Sequence, residues 1–195
     1  MFGIFRKRVT YESYGYMCGD TMLHTLVEQP SRSASEETMI DPNSAEVTSI
    51  WKRPLATLAA GSDANFESVT RQLASLCLAF HQFCHIGLVS EAAAQRTLAG
   101  VMKRFDERFP GFSSDEFTVE TTTAYLQAAA DDIKNKSKSE SFPTLVPLAI
   151  GRVVRLKPTD PNWPAASDVL YSLLDVILKT TEPMFTGMKK HAKLV

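Results

Sequence analysis

The side chains best suited to catalysis or metal binding form one cluster at helical spacing: Cys77, His81, Cys84 and His85. Cysteine and histidine at positions i, i+4 and i+7 can point the same way from a helix, and both are ligands for zinc. Their angular positions, however, place the cysteines at the edge of an apolar stripe and the histidines further round. We interpret the cluster as a core giving way to a rim, and we predict no bound metal or cofactor.

The other groups that could carry chemistry are weaker. Asp20 and His24 lie at i, i+4 and can form an acid–base pair, although such local pairs are usually surface interactions. Asp131 and Asp132 are adjacent on a predicted helix, so their carboxylates should diverge. Three further possible ligands lack a spacing that would recruit them to the cluster: Cys18, His24 and His191.

Catalytic signatures are missing from the chain. The sequence lacks the G-x-S-x-G nucleophile elbow, both glycine-rich phosphate-binding patterns and the H-E-x-x-H zinc motif. A catalytic site could still be assembled from residues distant in sequence, as happens in helical bundles. We therefore leave the question of an enzyme open, with a non-enzymatic protein as the preferred interpretation and no catalytic residue predicted.

The element that must position the cysteine–histidine cluster is a long helix over residues 63–88. Its apolar residues recur at alternating steps of three and four, which keeps one face turned toward a core. Additional apolar residues widen this surface, so we expect the helix to be central and covered on more than one side. The stripe consists of Phe66, Val69, Leu73, Leu76, Phe80, Phe83 and Gly87.

Similar periodicity predicts helices on either side of the central one. Residues 12–28 are predicted to be helical despite Gly15 and Gly19, and a helix that begins at Asn43 or Ser44 should be kinked or divided by Pro54. Residues 91–109 form the next predicted helix, with Ser90 as its N-cap. Pro110 ends that helix.

The predicted helix ending near residue 135 has the most specific start signal. Ser113 and Glu116 match a capping box, with Phe112 and Phe117 placed as a hydrophobic staple. A last helix follows Pro164, and Pro183 should interrupt it. The chain is thus predicted to be all-α: a single domain, 1–195, of six to seven helices in orthogonal or bundle-like packing around residues 63–88. Whether the basic ends, 1–9 and 189–195, are mobile stays open.

Charge is distributed unevenly along the 195 residues, although the formal net charge is only −1. Residues 1–8 and 189–195 carry three bases each and no acid. Residues 9–51 carry one base, Arg32, against seven acids. This acidic third argues against a broad nucleic-acid surface and suits a basic protein partner. The acidic residues in that third are Glu12, Asp20, Glu28, Glu36, Glu37, Asp41 and Glu46.

These observations favour a soluble, cytoplasmic, non-enzymatic binding module: an adaptor, inhibitor, chaperone or immunity-type protein. The predicted partner-binding residues are Glu28, Glu36, Glu37, Asp41 and Glu46. One alternative is a helical-bundle enzyme or metalloprotein. A second is peripheral membrane association through residues 1–8, where Phe2, Ile4 and Phe5 precede three bases. Packing of those apolar residues on the domain is the preferred interpretation, so membrane contact is not expected, and the oligomeric state is open.

Overall fold

The computed structural model describes residues 7–24, 66–85, 88–135 and 142–195. Within these ranges there are six helices, and two three-residue strands are the strand elements, so the predicted all-α class is confirmed. The elements in chain order are β1 (Lys7–Val9), α1 (Tyr11–Met22), α2 (Phe66–His85), α3 (Glu91–Arg108), α4 (Glu116–Asn135), α5 (Leu145–Val153), α6 (Trp163–His191) and β2 (Ala192–Leu194).

Helix α2 occupies the centre of the fold, as its apolar stripe predicts. It contacts α3, α4, α5 and α6. Val69, Leu73 and Leu76 have no measurable exposure, and Phe80 is buried at 1%. One contiguous hydrophobic cluster, to which all six described helices contribute, surrounds this helix. Burial of that apolar surface is the main stabilising contribution to the fold.

Helices α1 and α3 form the most extensive helix pair in the described part of the chain. Glycines permit this contact, because an ideal Cβ on Gly15 would lie 1.9 Å from the carbonyl oxygen of Thr97. An ideal Cβ on Gly100 would lie 2.0 Å from the carbonyl oxygen of Glu12. Gly15 lowers the helix propensity of the predicted first helix, but its missing side chain lets the backbone of α1 contact α3.

The predicted start of α4 is wrong. Asp115 rather than Ser113 caps the helix, because its carboxylate accepts a hydrogen bond from the backbone N–H of Thr118 at 2.9 Å. Ser113 instead donates its backbone N–H to Asp106 on α3. The expected staple also fails, since Phe112 is fully buried while Phe117 is 57% exposed.

The predicted interruption at Pro183 is also wrong, because α6 runs as one helix from Trp163 to His191. Proline removes one backbone hydrogen bond but need not end a helix whose flanking turns are held by packing. Thr181 and Phe185, on either side, are buried at 5% and 4% exposure. Across the residues that the structure describes, no helix has the length and apolar character needed to cross a membrane.

The two described strands join distant parts of the chain. β1 and β2 pair in parallel, with Arg8 opposite Lys193 and Val9 opposite Leu194. The backbone N–H of Tyr11 extends the contact by donating to the carbonyl of Val195 at 3.2 Å. No alternating apolar and polar run long enough for a sheet marks these segments, and three residues are too few to create that signal.

Candidate functional site

Helix α2 carries the four residues of the predicted cysteine–histidine cluster, and the structure brings two of them together. The imidazole rings of His81 and His85 lie 4.2 Å apart between centroids. Cys77 is fully buried, and Cys84 lies beside Thr181 on α6, whose hydroxyl donates a hydrogen bond to the carbonyl of Ile177. In the described residues, no three His, Cys, Asp or Glu side chains converge on a point where a metal ion could bind.

The interpretation of this cluster as a rim is wrong, because both histidines belong to the interior. His81 is 5% exposed and His85 is 2% exposed. Helices α1 and α6 cover this side of α2 through two aromatic rings. The centroid of the His85 ring lies 6.0 Å from that of Tyr14 and 6.3 Å from that of Phe185. The angular positions of residues around α2 carry no information about the two helices that cover it.

Burial keeps the two imidazoles neutral. Removal from water lowers the pKa of His81 well below the ordinary histidine value, and the neighbouring His85 lowers it further. Removal from water also lowers the pKa of His85, while its hydrogen bond to the backbone of His81 acts in the opposite direction. Both imidazole rings are therefore uncharged near neutral pH.

The hydrogen bonds of the pair fix the tautomer of His85. Its Nδ1 lies 2.9 Å from the carbonyl oxygen of His81, which is an acceptor, so Nδ1 must carry the hydrogen. The Nε2 lone pair then has no hydrogen-bond partner among the described residues. The buried hydroxyl of Tyr14 also makes no hydrogen bond of normal geometry there, although the Cys18 thiol lies beside it.

The three cysteines are free thiols, and burial makes each of them less acidic. Removal from water raises the pKa of Cys18 and that of Cys84 to about 11. Burial also raises the pKa of Cys77. Because the thiolate is the nucleophile and the metal ligand, these protonated thiols are poorly suited to either role.

The site thus consists of a neutral imidazole acceptor on α2 and a phenol on α1, with Phe185 on α6 packed against both rings. A buried polar group without a hydrogen-bond partner costs free energy, so two such groups on neighbouring side chains are unusual in a native interior. The arrangement can supply one acceptor and one donor to a small polar molecule. It does not supply the ligand set of a metal centre or an activated nucleophile.

The other residue pairs singled out by their spacing have structural roles. His24 lies 3.7 Å from Asp20, but Arg104 on α3 approaches the same carboxylate oxygen to 2.8 Å. Asp131 and Asp132 diverge as predicted. Asp131 accepts a hydrogen bond from Gln127, while the buried Asp132 points toward the start of α5.

Comparison with known proteins gives no functional information for this fold. No family model, curated protein or solved structure matches the chain. The five predicted partner-binding residues, Glu28, Glu36, Glu37, Asp41 and Glu46, lie outside the described residues. Any functional conclusion must therefore come from the sequence and from the described contacts.

Two features of the structure have no strong signal in the sequence analysis. Tyr14 completes the histidine site from α1, and its only signal is that it precedes Cys18 by one helical turn. Arg8 and Lys193 face each other across the paired strands, although each basic end had been recognised separately. Contacts of such long sequence separation leave no local pattern.

Proposed function

We propose that the protein is a non-enzymatic binding module whose acidic N-terminal third engages a basic protein partner. The observation that carries the proposal is the charge segregation over residues 9–51, with seven acids against one base. Opposite charges at an interface steer association and set specificity. The acids proposed to contact the partner are Glu28, Glu36, Glu37, Asp41 and Glu46.

The described part of this third refines which acids are available to a partner. Asp20 is paired with Arg104, so much of its charge is already neutralised. Glu12 is exposed in the first turn of α1. Met17 on the same helix is 50% exposed, and a flexible methionine is a common apolar contact at adaptable binding surfaces. These features support the availability of α1 to a partner.

The test is to isolate the partner by affinity purification from the native host and to measure binding of the purified pair. Charge reversal of Glu36, Glu37 and Asp41 to lysine should weaken binding at least about tenfold, with the loss growing as ionic strength falls. Matched reversal of three exposed acids on other helices should leave binding within about twofold: Glu67, Glu91 and Glu120. Equal losses in both triple variants would contradict the proposed surface.

A second candidate is a protein that binds a small polar ligand within the helices. It is favoured by the Tyr14 hydroxyl and the His85 Nε2 atom, which are buried without partners among the described residues. Native mass spectrometry tests for a retained organic ligand.

We also propose a cytoplasmic location, because the three cysteines are free thiols and a reducing compartment preserves that state. Immunofluorescence of the tagged protein in its host would test this. Nucleic acid is not a proposed partner, since the acidic third would repel a phosphate backbone.

A further inference from the structure

The fold brings the two basic ends of the chain into contact. Residues 1–8 and 189–195 hold three bases each and no acid. Strand β1 lies in the first of these segments, with one residue beyond it, and β2 lies in the second. Their parallel pairing sets Arg8 directly opposite Lys193. Two strands from distant parts of the sequence therefore place Arg8 and Lys193 on one surface, which we call the basic strand pair and define as residues 7–9 and 192–194.

One face of the basic strand pair packs on the protein, and the other presents its charges. Val9 and Leu194 are half-buried against the hydrophobic cluster. Arg8 and Lys193 are exposed on the opposite face, since neighbouring side chains alternate along a strand. Like charges directly opposite each other destabilise a sheet. The pairing therefore carries an electrostatic cost that an anionic group on this face would remove.

The outer edges of the two strands offer backbone groups to a ligand. In the described residues the sheet has two strands, so each strand is paired on one side. Unpaired strand edges present N–H and C=O groups that can add a further strand. A two-stranded sheet is also marginally stable by itself, and a third strand would stabilise it.

A cavity lies beside the last turns of α6, which lead directly into β2. Its volume is about 370 Å³, and its lining combines apolar side chains with two lysines and one glutamate. The ammonium nitrogen of Lys189 lies 4.9 Å from the centroid of the Phe185 ring. The residues that line it are Leu88, Glu182, Phe185, Thr186, Lys189 and Lys190. The cavity thus offers room for an apolar side chain next to positive charge.

We propose that the basic strand pair binds an acidic, extended segment of a partner protein as a third strand, with carboxylates facing Arg8 and Lys193. The open strand edge and the partly apolar cavity favour a peptide over nucleic acid or lipid, whose phosphates would use the positive charges alone. This site is separate from the acidic third and has the opposite charge. The two sites together would let the protein bridge a basic and an acidic partner.

The direct test measures binding of a short fluorescent peptide, with alternating glutamate and valine, to the full chain by fluorescence anisotropy. Arg8→Glu combined with Lys193→Glu should weaken binding by about tenfold or more. The matched control is Arg96→Glu with Lys103→Glu, two exposed bases on α3, which should stay within about twofold of the wild type. Absence of binding, or equal losses in both double variants, would overturn the proposal.

The single variant Arg8→Glu separates binding from folding. It places opposite charges across the strand pair, so the thermal midpoint should hold or rise while peptide affinity falls. A fall in both would mean that Arg8 has only a structural role, and the proposal would be wrong.

Two further probes identify the kind of ligand. The same peptide with N-methylated backbone amides keeps its charges but cannot form the strand ladder, so it should lose most of its affinity. Undiminished binding would overturn strand addition. Phosphatidylserine vesicles or a thymidine oligonucleotide that displaced the peptide with the same dependence on Arg8 and Lys193 would also overturn it, in favour of a general polyanion surface.

Discussion

Because α1 and α3 are in close contact, we predict that substitution of glycine by alanine changes the free energy of unfolding in opposite directions at two helical positions. At Gly15, an added Cβ would lie 1.9 Å from a backbone oxygen of Thr97, whereas ordinary contact begins at 3.4 Å. The two helix backbones would have to separate by about 1.5 Å at this point. At Gly151 on α5, an added Cβ meets nothing within 4 Å.

These distances set the expected free energies. Overpacking costs about 1–3 kcal/mol, and contact with a backbone atom places Gly15→Ala at the upper end of that range. Alanine recovers about 1 kcal/mol of helix propensity relative to glycine. The free energy of unfolding should therefore fall by about 2 kcal/mol in Gly15→Ala and rise by up to about 1 kcal/mol in Gly151→Ala.

The assay is thermal and urea unfolding followed by circular dichroism. For a chain of this length, 1 kcal/mol corresponds to about 2–4 °C, so the midpoint of Gly15→Ala should fall by about 4–8 °C. Gly151→Ala should hold or raise the midpoint. A midpoint for Gly15→Ala at or above that of the wild type would refute the close backbone contact.

A double variant tests whether the two glycines belong to one interface. Gly100→Ala alone should also destabilise, because its Cβ would lie 2.0 Å from a backbone oxygen of Glu12. A single separation of α1 from α3 relieves both clashes, so the double variant should cost less than the sum of the single changes. Full additivity would mean that the two sites relax independently.

Three further predictions concern polar contacts. Asp132→Ala removes the acceptor of hydrogen bonds from the backbone N–H groups of Thr144 and Leu145, so the free energy of unfolding in urea should fall by about 2–3 kcal/mol. The control Asp131→Ala should lower it by less than about 0.5 kcal/mol. Similar losses in the two variants would contradict the capping role of Asp132. Asp115→Ala should lower stability by about 1 kcal/mol by the same assay, and a neutral result would reject it as the N-cap of α4. Below pH 6.5 His81 and His85 bind protons in the unfolded chain but stay neutral in the folded protein, so the free energy of unfolding should fall by up to about 1.4 kcal/mol per pH unit for each histidine until its lower folded pKa is reached. Replacing both histidines by phenylalanine should flatten the dependence of the urea midpoint on pH between 6.5 and 5.5. An unchanged slope would contradict their burial as neutral groups.

The helical framework could be predicted because its signals are local. The apolar stripe around Leu73 and the serine cap at Ser90 depend on residues within a few turns of one another. The structure confirms the central position of α2 and ends α3 at Arg108, just before Phe109 and Pro110.

The errors arose where a distant residue competes with a local pattern. Ser113 donates its backbone N–H to Asp106 on α3 and does not form the predicted capping box. Asp115 caps the start of α4 instead. The burial of His85 depends on Tyr14 of α1 and Phe185 of α6, so the periodicity of α2 alone underestimates it. Glycine at position 15 lowers helix propensity locally, yet it permits a contact with α3 that propensity cannot represent.

The pairing of β1 with β2 has a consequence for the order in which the fold forms during translation. Residues 7–9 are synthesised before every described helix, whereas their partners at 192–194 are synthesised after all of them. The closing of so long a loop carries a large entropic cost, so this contact should form late and open readily. Amide hydrogens of Tyr11 and Val195 should therefore exchange faster than those of α2, and a chain truncated before residue 192 should keep its helices without this strand pairing.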